Sequence, residues 1–199
     1  MLEADKLIKF IEYEAFAVES ADGVPGKTML ERLDFCLLGV NEEAGEAIGK
    51  MKRYYRGDAS WKTQKVALLT ELGDVLWYTV IAAKEMGFTF AYLYSHAHKT
   101  NVGIEAAGEN DISRTKNYLF SLNGAAGAAA CQLVVAYENS SPNATVKNEI
   151  FEWLAVILLA IEGTSFYAGY SLEEVMEANT RKMTDRRSRG VLRGEGDNR

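Results

Sequence analysis

Residues 28–55, TMLERLDFCLLGVNEEAGEAIGKMKRYY, decide the fold. Leu30, Leu33, Leu37, Val40, Ala44, Ile48 and Met51 recur there at steps of three and four, the apolar stripe of an amphipathic helix. Working outward, Gly57-Asp58 makes a loop, and Trp61 to Met86 is a second helix, apolar on nearly every side, stopped at Gly87. Thr89 to Thr100 is a shorter helix. Upstream, residues 3–20 place Leu7, Ile8, Phe10, Ile11, Phe16 and Val18 among charges, and Ser20-Ala-Asp-Gly-Val-Pro-Gly26 breaks that helix. Asn101 to Asp111, with Gly103 and Gly108, is the best linker. The expectation is an all-α fold.

Composition agrees. The chain has 199 residues, 48% hydrophobic and 25% charged, with only two prolines, Pro25 and Pro142. That composition excludes a disordered chain and disfavours a turn-rich β sandwich. A net charge of −6 argues against a general nucleic-acid binder. Cys36 and Cys131 are too few for a disulfide framework and read as reduced, buried thiols. The start, MLEADK, has no basic stretch leading into an apolar one, and the most apolar run, Leu154 to Ile161, is too short to cross a bilayer. A cytoplasmic protein without membrane or nucleic-acid partners is expected.

After the linker the pattern returns. Laying residues 28–100 over 110–182 at a constant offset of 82 matches Asn41 with Asn123, Leu37 with Leu119, Tyr55 with Tyr137, Thr63 with Thr145, Leu72 with Leu154 and Gly87 with Gly169. Pro142 falls where Ser60 sits in the first half. The chain therefore reads as a single compact unit, 1–199, holding two tandem helical-hairpin repeats: a catalytic one over 28–100 and a degenerate one over 110–182. A basic tail over 183–199 follows.

Four carboxylates stand out. Glu43 with Glu46, and Glu71 with Asp74, are each spaced i, i+3, so each pair shares one helical face. Two such helices side by side would bring four carboxylates to one spot, which calls for a hard cation with oxygen ligands, such as Mg²⁺ or, in its place, Mn²⁺. Glu42 lies one turn before Glu46 and is a candidate fifth acid. A solvated face would also account for Glu42, Glu43 and Glu46. It does not account for Glu71 and Asp74, which interrupt the apolar run VALLTELGDVLWY (66–78). The repeat adds a second clue: at the four equivalent positions the second half has Ala125, Ala128, Trp153 and Val156, all apolar.

Glu42-Glu43-Ala-Gly-Glu46, then 24 residues, then Glu71-Leu-Gly-Asp74, resembles the EExxE…ExxD signature of the all-α, MazG-like nucleoside triphosphate pyrophosphohydrolases. That group includes dimeric dUTPases, dCTP pyrophosphatases and phosphoribosyl-ATP pyrophosphohydrolases. The run Glu177-Ala-Asn179-Thr-Arg-Lys182 with Asp185-Arg186-Arg187 is similar to the tail of many such chains. The resemblance implies a hydrolase of nucleotide metabolism. It implies Mg²⁺-dependent cleavage of a (deoxy)nucleoside triphosphate to the monophosphate and pyrophosphate, with Glu43, Glu46, Glu71 and Asp74 as metal ligands. The second half, with its acids erased, departs from the family's simple one-repeat pattern. The rival expectations are a phosphoribosyl-ATP pyrophosphohydrolase-like enzyme and a nucleotide-binding helical regulator without turnover. Glu42 is either the group that orients or deprotonates water, or a plain surface glutamate.

Other residues suit the substrate. Asn179 and Lys182 are spaced i, i+3, where the first half has Ala97 and Thr100; with Arg186 they suit phosphate oxygens and a base or sugar edge. One half keeps the acids and the other keeps the amide-and-lysine pair, so the expectation is one composite site formed by fusing a homodimer's shared site. Whether such fused chains also form a homodimer stays open. Tyr78, four residues after Asp74, is either a base-stacking or a packed core tyrosine. Lys50, Lys52 and Arg53 follow the acids and suit either phosphates or the end of a helix. His96 and His98 have no acid at ligand spacing and read as exposed.

Overall fold

The computed structural model describes residues 4–100, 108, 110–138 and 144–190, and among these every regular element is helical. The helices are α1 (Ala4–Ser20), α2 (Met29–Tyr55), α3 (Trp61–Glu85), α4 (Phe90–Lys99), α5 (Asp111–Glu138), α6 (Ala144–Ala168) and α7 (Leu172–Ser188). The all-α bundle is as expected, and α1 to α4 have bounds within a residue or two of those read from periodicity. Local chemistry explains the ends. Thr28 and Ser171 each form a capping box, with Glu31 and Glu174 returning the bond, while Ser60 and Thr89 cap α3 and α4. Gly87 and Gly169 follow α3 and α6 at φ +92° and +88°, the left-handed conformation that ends a helix. Pro142 and the tail beyond Gly190 lie outside the described residues, as does most of the expected linker.

The helices pair in a two-fold pattern. Hairpins α2–α3 and α5–α6 meet along α2 and α5. Each short third helix then leaves its own hairpin: α4 packs mainly on α6, and α7 mainly on α3. At the α2–α5 seam Asn41 Nδ2 donates to the carbonyl of Ala126 (3.1 Å), and Asn123 Nδ2 donates to that of Ala44 (3.0 Å). The 82-residue offset carries one bond onto the other.

Two glycines mark close approaches. A Cβ on Gly39 would lie 2.5 Å from the Tyr78 ring, and one on Gly73 would lie 2.9 Å from Cβ of Asn179. The missing side chain at Gly73 is what lets α7 reach α3. Gly73→Ala adds helix propensity worth up to about 1 kcal/mol, but overpacking of this kind costs about 1–3 kcal/mol. Thermal denaturation is expected to show a melting temperature lower by a few degrees, and a rise would contradict this packing.

Several expectations need correction. Helices α3, α5 and α6 each contain an 18-residue window of mean hydropathy 1.5 and are long enough to cross a membrane. The run 154–161 understated this, because single polar residues interrupt longer apolar stretches. Within the bundle 72%, 39% and 56% of those windows are buried. Cys36 is buried, and burial pushes its thiol up to about 12, but Cys131 is exposed on the outer side of α5. His96 and His98 do have acidic partners, Glu152 (2.9 Å) and Glu162 (2.8 Å), supplied by α6 from far along the chain.

Candidate active site

The acids on α2 and α3 converge. Glu43, Glu46 and Glu71 each offer a carboxylate oxygen within 4.8 Å of the other two. Glu43 is half-buried, Glu46 is exposed at the rim, and Glu71 is buried. Asp74, one turn beyond Glu71, is also buried but is held from the other side. Asn179 Nδ2 donates to its Oδ1 (3.0 Å), and the Lys182 ammonium donates to its Oδ2. Tyr13 on α1 donates its hydroxyl to Oδ1 of Asn179 (3.0 Å), which turns the amide nitrogen toward Asp74. Of the four acids expected to gather, three cluster and the fourth, Asp74, is the one that meets Asn179 and Lys182.

The electrostatics follow from burial. Desolvation, then the charges of Asp74 and Glu71, push the Glu43 carboxyl up to about 8. Glu71 is raised as well, because its burial outweighs the hydrogen bond from Lys50. That lysine is 4% exposed, with Nζ 2.6 Å from Oε1 of Glu71. Lys52 and Arg53, by contrast, are exposed. In the second half Gln132 takes the place of Lys50, so the buried cation is absent where the acids are absent. At the four acid-equivalent positions Ala125 is buried, while Ala128, Trp153 and Val156 are half-buried.

Beside the cluster lies a cavity of about 720 Å³, in the range of small-molecule pockets. Phe16, Phe35, Trp77 and Tyr78 form its aromatic wall, Glu43 and Asp74 reach it from one side, and Arg186 and Arg187 from α7. Tyr78 resolves the earlier alternatives in part: its ring abuts Gly39, stands edge-on to Trp77 with centroids 4.8 Å apart, and still lines the cavity. Burial and the neighbouring Glu43 charge push its phenol up to about 12. Trp77 Nε1 donates to Ser20 Oγ (2.8 Å), which fixes the turn after α1 as a further wall. Arg187 pairs with Glu19 (2.7 Å). Arg186 is only 7% exposed yet makes no hydrogen bond or ion pair among the described residues. A buried guanidinium that faces a cavity with no partner among the described residues suits an anion. Glu42 is exposed and does not line the cavity.

Tyr13, Phe16 and Phe35 were not singled out in the sequence, and nothing local distinguishes them from ordinary core aromatics. Lys50 had a readable signal in its replacement by Gln132. The donor set suits a hard divalent cation, since the converging groups are all carboxylates. No protein-family model matches the sequence, and neither curated proteins nor solved structures provide a match.

Proposed function

We propose that this protein is a Mg²⁺-dependent nucleotide pyrophosphohydrolase that cleaves a (deoxy)nucleoside triphosphate to the monophosphate and pyrophosphate. One observation carries the reading: a cavity beside the carboxylate cluster is lined by Glu43 and Asp74, by an aromatic wall and by the buried Arg186, which has no partner among the described residues. A triphosphate bears about four negative charges and approaches such carboxylates only through bridging cations. Glu43, Glu46, Glu71 and Asp74 are the residues that would hold Mg²⁺, or Mn²⁺ in its place. A bound ion of this kind lowers the pKa of a coordinated water, which supplies a nucleophile near neutral pH.

The chain's own groups divide the remaining work. Arg186 grips phosphate oxygens, with Lys182 one turn away on the same helix. The ring of Tyr78, beside Trp77 and Phe35, offers a stacking surface for a base. Asn179, oriented by Tyr13, holds Asp74 in place. Glu43 reaches the cavity and the exposed Glu42 does not, so Glu43 is better placed than Glu42 to orient the attacking water. The composite origin of the site extends the proposal: two like halves, fused, share one set of acids and one set of phosphate-binding groups.

The test is pyrophosphate release from a panel of ribo- and deoxyribonucleoside triphosphates and phosphoribosyl-ATP, with Mg²⁺ and with Mn²⁺. Release from at least one nucleoside triphosphate is expected. Asp74→Asn is expected to lower turnover on the order of 100-fold while the helical circular dichroism is kept. Release from phosphoribosyl-ATP alone would move the protein to the histidine-type branch. Nucleotide binding with no release from any of them would leave a regulator in place of an enzyme.

A further inference from the structure

We propose that Lys182 is a latch that couples cation binding to triphosphate binding, occupying Asp74 until a metal-bound triphosphate draws it away. The inference rests on the pyrophosphohydrolase reading and concerns how the same site is loaded. Both oxygens of Asp74 are engaged, Oδ1 by Asn179 and Oδ2 by the Lys182 ammonium. A divalent cation placed on Oδ2 would sit against that ammonium, and two like charges so close in a partly buried site repel strongly. Asp74 therefore joins the ligand set only when Lys182 leaves.

The two lysines of the site differ in this respect. Lys50 is buried and pairs with Glu71 through Oε1 (2.6 Å), and Glu71 still offers an oxygen to the cluster with Glu43 and Glu46. Lys182 is half-buried on α7, one turn before Arg186 and on the same helical face. A lysine released from Asp74 is thus already beside the cavity that takes the phosphates. Its flexible stem and point charge suit exchange between a carboxylate and a phosphate. The 82-residue offset supports the pairing: it carries Asp74 forward to Val156 and Lys182 back to Thr100, so acid and latch are absent together.

Linkage makes the coupling reciprocal, and coupling of this kind is typically 5- to 150-fold. The test is titration of Mn²⁺ into the full chain, alone, and titration with preformed Mn²⁺–tripolyphosphate, for the unmodified protein and for Lys182→Met. Removing the latch is expected to tighten Mn²⁺ binding about 10-fold in the absence of phosphate and to weaken binding of the Mn²⁺–tripolyphosphate complex about 10-fold. These opposite signs separate a latch from a lysine that only contacts phosphate, which would leave the Mn²⁺ affinity alone unchanged. Mn²⁺ binding equal to or weaker than that of the unmodified protein overturns the proposal. Lys182→Gln, a smaller change at a half-buried position, gives the same comparison should the methionine variant fold poorly. Absence of Mn²⁺ binding to the unmodified protein and to both variants would instead remove the metal site itself.

Discussion

Glu71→Ala is expected to lower stability by about 3–5 kcal/mol, the usual consequence of leaving a buried charge without its partner. The charge left behind is Lys50, 4% exposed, whose Nζ sits 2.6 Å from Glu71 Oε1. For a chain of this size the change corresponds to a fall in melting temperature of roughly 10 °C. The double variant Lys50→Met/Glu71→Leu should recover most of the loss, because replacing both members of a buried pair with hydrocarbon is often neutral. The second half already shows an uncharged solution, with Gln132 and Trp153 at the equivalent positions. Urea unfolding of both variants beside the parent decides the matter. A cost below about 1 kcal/mol for the single change would mean that water reaches Lys50 and that the pair is not a buried one. Under the proposed function both variants lose cation binding, so stability separates from ligation: only the single variant is expected to be unstable.

The second large effect concerns pH. Glu43 holds its proton up to about 8 in the folded protein, against an ordinary value of 4.5, chiefly through burial and then through the charges of Asp74 and Glu71. The unfolded chain releases that proton near the ordinary value, so between about 4.5 and about 8 the folded state binds more protons than the unfolded state. In the absence of divalent cations the contribution of Glu43 to stability is therefore greatest at the acid end of that window and falls as pH rises through it. Allowing for the half-burial of Glu43, the loss is on the order of 1–2 kcal/mol. Glu43→Gln, compared with the parent in chelator at pH 5, 6.5 and 8, should flatten this slope, leaving the share that the likewise raised Glu71 carries, and make the variant the more stable protein at pH 8. Mn²⁺ added to the parent at pH 8 should restore the lost stability, because a ligated carboxylate is an ionised one. Parallel stability curves for parent and variant would show that Glu43 does not carry the effect.

The cluster itself was half legible. Glu71 and Asp74 could be identified because two carboxylates within VALLTELGDVLWY leave no polar side to occupy, and the energetic penalty of that burial is visible in one dimension. Glu43 was ambiguous for the opposite reason. Its helix has a polar face, and only the packing of α2 on α3 distinguishes half-buried Glu43 from exposed Glu42 next to it. The partners of Lys50, His96 and His98 were hidden for the same reason.

The sequence by itself determined the helices and their ends, because a period near 3.6, capping side chains and left-handed glycines act over a few residues of chain. It also determined the amide-and-lysine pair at 179 and 182, by contrast with Ala97 and Thr100. Only the tertiary structure decided that α7 leaves its own hairpin for α3, and with it the contacts of Asn179 and Lys182 with Asp74, the orienting hydroxyl of Tyr13 and the burial of Arg186. Those contacts join residues 105 to 166 positions apart along the chain. What brings them together is the fit of helix surfaces, including the bare backbone at Gly73, and that fit belongs to pairs of helices rather than to any one segment.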